Sequence, residues 1–199
     1  MIQNKKDYLD YLEKDACNYR VASGREGIKA WLFYKIFSTP ISDQSKIWNY
    51  IKTLRKCEYY LNSKKNDGFF LWGWKSFLFI ISLHRLRKLA RLTGFQIPPN
   101  TIGKGITIWH WGPCVINGYA QLGENCTLRP DIVIGYKDKG GVAPKIGNNV
   151  VINSGCRIIG NDIIIGDNVI IAPGAVVTKS IPSNCIVGGI PAKVLKNIE

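Results

Sequence analysis

Aliphatic residues recur at six-residue intervals through the second half of the chain. In register, these positions are Ile102, Ile108, Ile116, Leu122, Leu128, Ile134, Ile146, Ile152, Ile158, Ile165, Ile171 and Val177. The positions two residues earlier are also small or aliphatic, as at Cys114, Ala120, Cys126, Ile132, Val150, Cys156, Val169 and Ala175. A period this short indicates stacked coils, because a single coil cannot bury its own apolar face.

We interpret each six-residue unit as a short strand followed by a turn, with three units completing one triangular coil. Gly, Asn and Asp at the turns tolerate tight corners. The sequence therefore predicts a left-handed parallel β-helix of about four coils across residues 96–199. The period breaks three times, by two extra residues between Ile108 and Ile116, by a loop at residues 136–144, and by one extra residue within residues 160–164.

Residues 1–95 are predicted to form a separate α-helical domain. Apolar residues at helical spacing indicate helices over residues 5–19, 27–37 and 47–61. The boundary is expected near residues 95–100, since Gly94 can end a helix and Pro98 and Pro99 prevent its continuation.

An aromatic-rich run at residues 69–83 precedes the basic stretch 84–91. Interrupted by Lys75, the run is too short and too charged to span a bilayer. The favoured interpretation is a buried helix that packs on the first coil. The alternative is an interfacial helix with a basic flank.

The net charge of +13 is concentrated in the first half, where residues 1–95 carry +10 and residues 96–199 carry +3. Such a surface attracts nucleic acid, an anionic membrane face or an acidic substrate. Because the sequence contains no zinc-ligand spacing and no nucleic-acid-binding motif, nucleic acid is not expected as a partner.

The six cysteines include no Cys-x-x-Cys pair, and with only two histidines they do not indicate a metal site. Cys114, Cys126 and Cys156 fall at the small inward position of the repeat, so we expect core packing rather than a thiol nucleophile. The polar N-terminus lacks the apolar core of a signal peptide. A reducing cytoplasm is the expected compartment.

Several segments of the repeat region carry a family resemblance. They are Ile-Gly-Lys-Gly-Ile-Thr-Ile-Trp-His-Trp-Gly-Pro at 102–113, Ala-Pro-Lys-Ile-Gly at 143–147, Ile-Ala-Pro-Gly-Ala-Val-Val-Thr-Lys at 171–179 and Val-Gly-Gly-Ile-Pro-Ala-Lys at 187–193. The region resembles the serine acetyltransferase-like branch of the hexapeptide acyltransferases. The resemblance implies an acetyl-CoA-dependent O-acetyltransferase that acts as a homotrimer without a metal.

His110 matches the family's catalytic base. An acceptor hydroxyl is a weak nucleophile at neutral pH, and histidine is the side chain that best accepts its proton there. The competing interpretation is a structural imidazole, but the position within the matching segment favours catalysis. His84, in a basic helical stretch, is expected to serve surface or interdomain packing.

The resemblance also implies positions for the cosubstrate. Backbone N–H groups around Asn153–Gly155 are candidate donors to the reaction's oxyanion. Acetyl-CoA contacts are expected at Asn153, Gly155, Ala172, Lys179, Gly189 and Lys193. For Lys179 and Lys193, a solvated turn charge is an equal alternative.

Departures from the family pattern bear on the acceptor. Gln96 stands where the serine-specific enzymes have an aspartate that pairs with the histidine, and Val142-Ala143 stands where they have Arg-His. Trp109 also replaces an aspartate. Because Trp109 and Trp111 suit the apolar faces of a sugar ring, we predict a saccharide acceptor from capsule, exopolysaccharide or lipopolysaccharide, with Trp109, Trp111 and Gln96 as its contacts.

The sequence alone leaves open two other acceptors, a non-catalytic function and a contact with the membrane. The acceptor could instead be L-serine, as in the serine O-acetyltransferase of cysteine biosynthesis, or the amine of an amino sugar. A non-catalytic β-helix scaffold is the alternative from a different class. The basic first half also suggests peripheral contact with the inner membrane face.

Overall fold

The computed structural model describes residues 1–19, 43–63, 69–138 and 140–198. The helices in these ranges are α1 (Lys5–Asn18), α2 (Asp43–Asn62) and α3 (Phe69–Thr93). The helices predicted over residues 5–19 and 47–61 are confirmed. The helix predicted over residues 27–37 lies outside the described residues.

Short strands follow the helices and build three sheets. The strands are β1 (Phe95–Gln96), β2 (Thr107–Ile108), β3 (Cys114–Ile116), β4 (Gln121–Leu122), β5 (Thr127–Leu128), β6 (Ile132–Gly135), β7 (Lys145–Ile146), β8 (Val151–Ile152), β9 (Arg157–Ile159), β10 (Ile164–Ile165), β11 (Val169–Ile171), β12 (Val176–Val177), β13 (Cys185–Gly188) and β14 (Lys193–Asn197). The first sheet has the order β1-β3-β6-β9-β12, the second β4-β7-β10, and the third β2-β5-β8-β11-β13-β14. Pairing is parallel except between β13 and β14, which run antiparallel.

The predicted repeat register matches the observed stacking. Ile116 aligns with Ile134, Ile134 with Ile158, and Ile158 with Val177 in successive coils of the first sheet. All twelve in-phase aliphatic positions are buried, and so are the eight small or aliphatic positions two residues earlier. Large and small inward side chains therefore fill the prism together, as the sequence pattern requires.

An asparagine ladder runs along the corner between the second and third sheets. Asn125, Asn149, Asn168 and Asn184 each have φ between 56° and 58°. The Nδ2 of each donates to the Oδ1 of the next, at distances from 2.8 to 3.4 Å. Asparagine tolerates this left-handed conformation, and its amide joins one coil to the next.

Helices α1 and α2 cover the open end of the β-helix. Arg55 of α2 reaches the first coil, where it donates from Nη1 to the carbonyl of Ile102 at 2.9 Å and from Nη2 to that of Gly103 at 2.6 Å. Tyr50 packs edge-on against Phe95 with ring centroids 5.1 Å apart. Tyr19, just after α1, and side chains from α2 and α3 share one core with the coils. The division into two domains stays a prediction.

Helix α3 departs from the favoured interpretation of the aromatic-rich run. Only part of it is buried, with Ser82, Leu86 and Thr93 facing the core. Trp74 is 61% exposed and Ile80 is 63% exposed. The prediction of a buried helix is therefore wrong, because the run is apolar on more sides than α2 and the first coil together cover. No helix in the described ranges has the length and apolarity needed to cross a bilayer.

Candidate active site

His110 lies in the corner that connects the third sheet to the first in the first coil. Strand β2 ends at Ile108, which pairs with Leu128 of the next coil, and the N–H of Trp109 donates to the Leu128 carbonyl at 3.2 Å. The two residues that follow leave the ladder. His110 and Trp111 are both exposed, so the two-residue break in the repeat presents the imidazole at the surface.

Residues of α2 and α3, and Tyr19 just after α1, contact the chain around this corner. At the end of α3, the Thr93 carbonyl accepts a hydrogen bond from the N–H of Gly112 at 2.8 Å. Just beyond α1, the Tyr19 hydroxyl accepts one from the N–H of Ile108 at 2.7 Å. From α2, the Lys46 ammonium lies 4.2 Å from the ring centroid of Trp111. The helices therefore fix the backbone on both sides of His110.

The corresponding corners of the later coils stack in a line along the coil axis, beginning at His110. We call this line the histidine edge, and each corner is one level of it. It comprises residues 109–113, 129–131, 153–155, 172–174 and 189–192. Backbone hydrogen bonds join its levels, including Asp131 N–H to Pro113 O at 2.6 Å and Gly174 N–H to Ser154 O at 2.9 Å. With strands about 4.8 Å apart, its five levels extend over roughly 19 Å.

The structure places four of the predicted cosubstrate residues on this edge. Asn153, Gly155, Ala172 and Gly189 all belong to it. Lys193 lies beside it, because β14 begins there and pairs with Gly188. A ligand that contacts all of them together with His110 must be extended along the coil axis.

Two other predicted residues lie away from the edge. Lys179 follows β12 and sits at the corner between the first and second sheets. Within one protomer it is therefore separated from His110 by a full face of the prism. Gln96 pairs with Val115 on the first sheet and borders a cavity beside α3 with Leu83 and Arg87. It lies two residues after Gly94, whose backbone closely approaches Gly112 and Pro113.

Two residues of the turn at 153–155 donate hydrogen bonds to neighbouring coils. The backbone N–H of Asn153 donates to Ile171 O at 3.3 Å, and its Nδ2 donates to the same oxygen at 2.7 Å. The N–H of Gly155 donates to Pro130 O at 3.4 Å. Asn153 and Gly155 therefore donate their backbone N–H groups to neighbouring coils, and the oxyanion role of this turn stays a prediction.

The sequence analysis did not identify two arginines at or near the histidine edge. Arg157 donates to Asp131, with Nη2 2.9 Å from Oδ1 and Nη1 2.6 Å from the carbonyl oxygen. Arg129 is exposed in the level below Trp109 and forms no ion pair with any described residue. The signal that could have found Arg129 is the repeat register, which aligns residue 129 with residue 109.

The buried cysteines behave as core residues. Burial raises the pKa of the Cys114 thiol to about 12 and that of Cys126 to about 11. Cys156 is also fully buried, and burial raises its pKa as well. The prediction that these three fill the core is confirmed. Among the described residues, no three His, Cys, Asp or Glu side chains are grouped to hold a metal ion.

Sequence relatives of the chain are named serine acetyltransferases. One from Synechococcus elongatus is 40% identical over 114 residues, which are 55% of this chain and 46% of the relative. One from Staphylococcus epidermidis is 38% identical over 120 residues, covering 58% and 56%. The chain thus spans about half the length of these relatives. No protein-family model matches it.

Solved structures agree with the whole described architecture. Serine acetyltransferase from Brucella abortus superposes with a TM-score of 0.68 at 21% identity, covering 98% of this chain and 71% of that one. A serine acetyltransferase in complex with CoA gives 0.66 at 19% identity, covering 96% and 71%. The predicted left-handed parallel β-helix with an α-helical N-terminal region is confirmed. The sequence relatives support a hexapeptide-repeat acetyltransferase family.

The saccharide acceptor predicted from the sequence is wrong. The relatives and structural neighbours are named for serine, which agrees with the alternative acceptor, and they give no support to polysaccharide biosynthesis. The structure supplies a physical reason for the error. The sequence predicts Trp111 as a contact for the apolar face of a sugar ring, but the Lys46 ammonium lies over this indole. The ring therefore already has a cationic partner within the protein.

Proposed function

We propose that this protein transfers an acetyl group from acetyl-CoA to the hydroxyl of L-serine, with His110 as the general base. The observation that carries the proposal is that His110 is exposed at the first level of the histidine edge. The sequence relatives of this chain are named serine acetyltransferases. An elongated thioester fits such an edge, with its reactive carbonyl beside His110 and its remainder along the later coils.

The transfer needs no acyl-enzyme. As the serine oxygen attacks the thioester carbonyl carbon, its proton moves to the imidazole of His110. The tetrahedral intermediate then collapses, the C–S bond breaks, and the leaving thiolate takes the proton from the imidazolium. The products are O-acetylserine and CoA, and the histidine returns to its starting state.

Arg129 can hold the serine carboxylate in place of the missing Arg-His pair. It follows Leu128 in the third sheet, one strand spacing of about 4.8 Å from Trp109 in the adjacent level. An exposed guanidinium aligned with Trp109, the residue before the base, can bind a carboxylate through two parallel hydrogen bonds. Arg157 is less suited, because Asp131 already neutralises it.

We also propose that the protein acts as a homotrimer in the cytoplasm. His110 is open to solvent in one protomer, and a second copy against the histidine edge would turn that edge into a cleft. Lys179 lies at a different corner of the prism, so it would reach acetyl-CoA only from such a neighbouring copy. The six free cysteines suit a reducing compartment.

The test measures CoA release from acetyl-CoA with L-serine for wild type, His110→Asn and His84→Asn. We expect His110→Asn to lower kcat/KM by roughly 100- to 10,000-fold, the usual contribution of a general base. His84 is exposed on α3, so His84→Asn serves as the matched control and should retain activity. Full activity of a folded His110→Asn protein would overturn the assignment of the base.

Calorimetric titration with CoA separates the remaining outcomes. Saturable CoA binding without turnover of L-serine would overturn the acceptor while leaving a cosubstrate site. Absence of both binding and turnover would overturn the enzymatic function in favour of a β-helix scaffold.

A further inference from the structure

Helix α3 exposes a row of large apolar side chains on one side. Trp74 is 61% exposed, Phe77 53%, Ile80 63% and Ile81 50%. Residues three and four apart share a helix face, so these four form one surface, which we call the apolar patch. The rings of Trp74 and Phe77 touch, with centroids 5.9 Å apart. Contiguous exposed apolar surface of this kind marks an interaction site.

The same side of α3 becomes basic in its next turns. Arg85, Lys88 and Arg91 are exposed, and helical spacing continues the line of the apolar patch through them. We call these three residues the basic patch. The helix sequence from Phe69 to Thr93 contains no Asp or Glu. One exposed face therefore combines apolar anchors with positive charge that no acidic residue of the helix compensates.

We propose that α3 docks the protein on an anionic phospholipid surface. The apolar patch enters the interface between headgroups and acyl chains, where Trp, Phe and Ile side chains are stabilised. The basic patch binds the lipid phosphates, which attract Lys and Arg close to the bilayer. The helix lies on the membrane and does not cross it, in agreement with its limited apolar length.

Charge favours a lipid surface over a second copy of the chain. If two α3 helices pair in parallel, each basic patch faces the other and repels it. If they pair antiparallel along the whole face, each basic patch is placed against the partner's apolar patch, where it finds no counter-charge. An anionic bilayer satisfies both patches at once, because its phosphates lie directly above its acyl chains.

The test is flotation of the full chain with vesicles of phosphatidylcholine alone or with 30% phosphatidylglycerol, at low salt. One variant, Phe77→Ser/Ile80→Ser, removes apolar anchors, and another, Arg85→Gln/Lys88→Gln/Arg91→Gln, removes the basic patch. The control, Lys5→Gln/Lys6→Gln/Lys145→Gln, removes three exposed charges outside α3. All altered side chains are exposed, and circular dichroism verifies the fold.

We expect wild type and the control to float with the anionic vesicles. The basic-patch variant should partition roughly 100-fold more weakly, and the apolar-patch variant at least tenfold more weakly. Equal losses in the control and the basic-patch variant would overturn a specific role for α3, as would absence of flotation. If Phe77→Ser/Ile80→Ser instead dissociates an assembly in sedimentation and wild type does not float, the partner is a second copy and the proposal fails.

Discussion

The Nε of Arg55 donates to Oδ2 of Asp15 at 2.8 Å, and both side chains are completely buried. Burial opposes the charged guanidinium, but attraction from Glu58 and Asp15 raises the pKa of Arg55 above its usual value. Asp15 Oδ1 also accepts the N–H of Gly105 at 2.7 Å. This pair therefore joins α1 and α2 to the backbone of the first coil.

Removing the arginine should destabilise the protein severely. Arg55→Ala leaves the Asp15 and Glu58 carboxylates buried without their partner, and breaking a buried ion pair on one side costs about 3–5 kcal/mol. Urea unfolding measures the change in the free energy of unfolding. Lys56→Ala, at an exposed position on the same helix, should change it by less than about 0.5 kcal/mol. Equal effects of the two variants would contradict a special role for the buried pair.

Stacked corner glycines set the spacing between coils. A Cβ added to Gly123 would lie 2.6 Å from the carbonyl oxygen of Gly147 and 2.7 Å from its carbon. Because both atoms belong to the backbone, the coils must shift, and we expect Gly123→Ala to destabilise the fold by roughly 1–3 kcal/mol. A Cβ at Gly135 has open space within 4 Å. Thermal unfolding of Gly135→Ala should therefore match wild type, whereas a neutral Gly123→Ala would refute the close contact.

The β-helix could be predicted because its signal is local and repeated. Each inward position, such as Ile152, repeats the aliphatic residue found six positions away, and so many repeats are not expected by chance. The surface of α3 could not be predicted in this way. Residues such as Trp74 and Ile80 are of the types that a buried helix also contains. Only the tertiary structure shows which of them the neighbouring elements cover.

The exposed position of His110 could be predicted, but the contacts around the candidate site could not. The break in the period located His110, because an insertion must leave the sheet. The hydrogen bonds of Asn153 to Ile171 O, by contrast, depend on distances between coils that the sequence does not contain. The same holds for Lys46 over Trp111, since those residues are 65 positions apart in the sequence.

Thiol reactivity should follow burial. Cys17 is exposed, while Cys57, Cys114, Cys126, Cys156 and Cys185 are buried. Iodoacetamide at pH 8 should therefore label one thiol rapidly in the folded protein and the other five only after unfolding, as counted by intact mass. Cys17→Ser should abolish the rapid labelling. Rapid modification of a second thiol would contradict the closed core.

The same thiols should make stability depend on pH. Burial raises the pKa of Cys114 to about 12, whereas an unfolded thiol ionises near about 8.5. The folded state therefore holds its proton longer, and this thiol's stabilising contribution is present below pH 8.5 and lost above it. By pH 9.5 the loss is about 1.4 kcal/mol. The difference in unfolding free energy between wild type and Cys114→Ala should shrink by that amount between pH 7.5 and 9.5, and a constant difference would contradict the shift.

Arg129 should determine affinity for the amino-acid acceptor without affecting the chemical step. Hydrogen bonds to a charged group contribute about 1.5–3 kcal/mol, so Arg129→Gln should raise the KM for L-serine roughly 10- to 100-fold. The carboxylate is bound equally in the ground state and the transition state, so kcat should stay near the wild-type value. Lys145→Gln, which removes an exposed charge from the second sheet, is the matched control. If Arg129→Gln lowered kcat and left KM unchanged, the arginine would act on the transition state and not as a carboxylate anchor. A raised KM for acetyl-CoA alone would instead assign it to the cosubstrate.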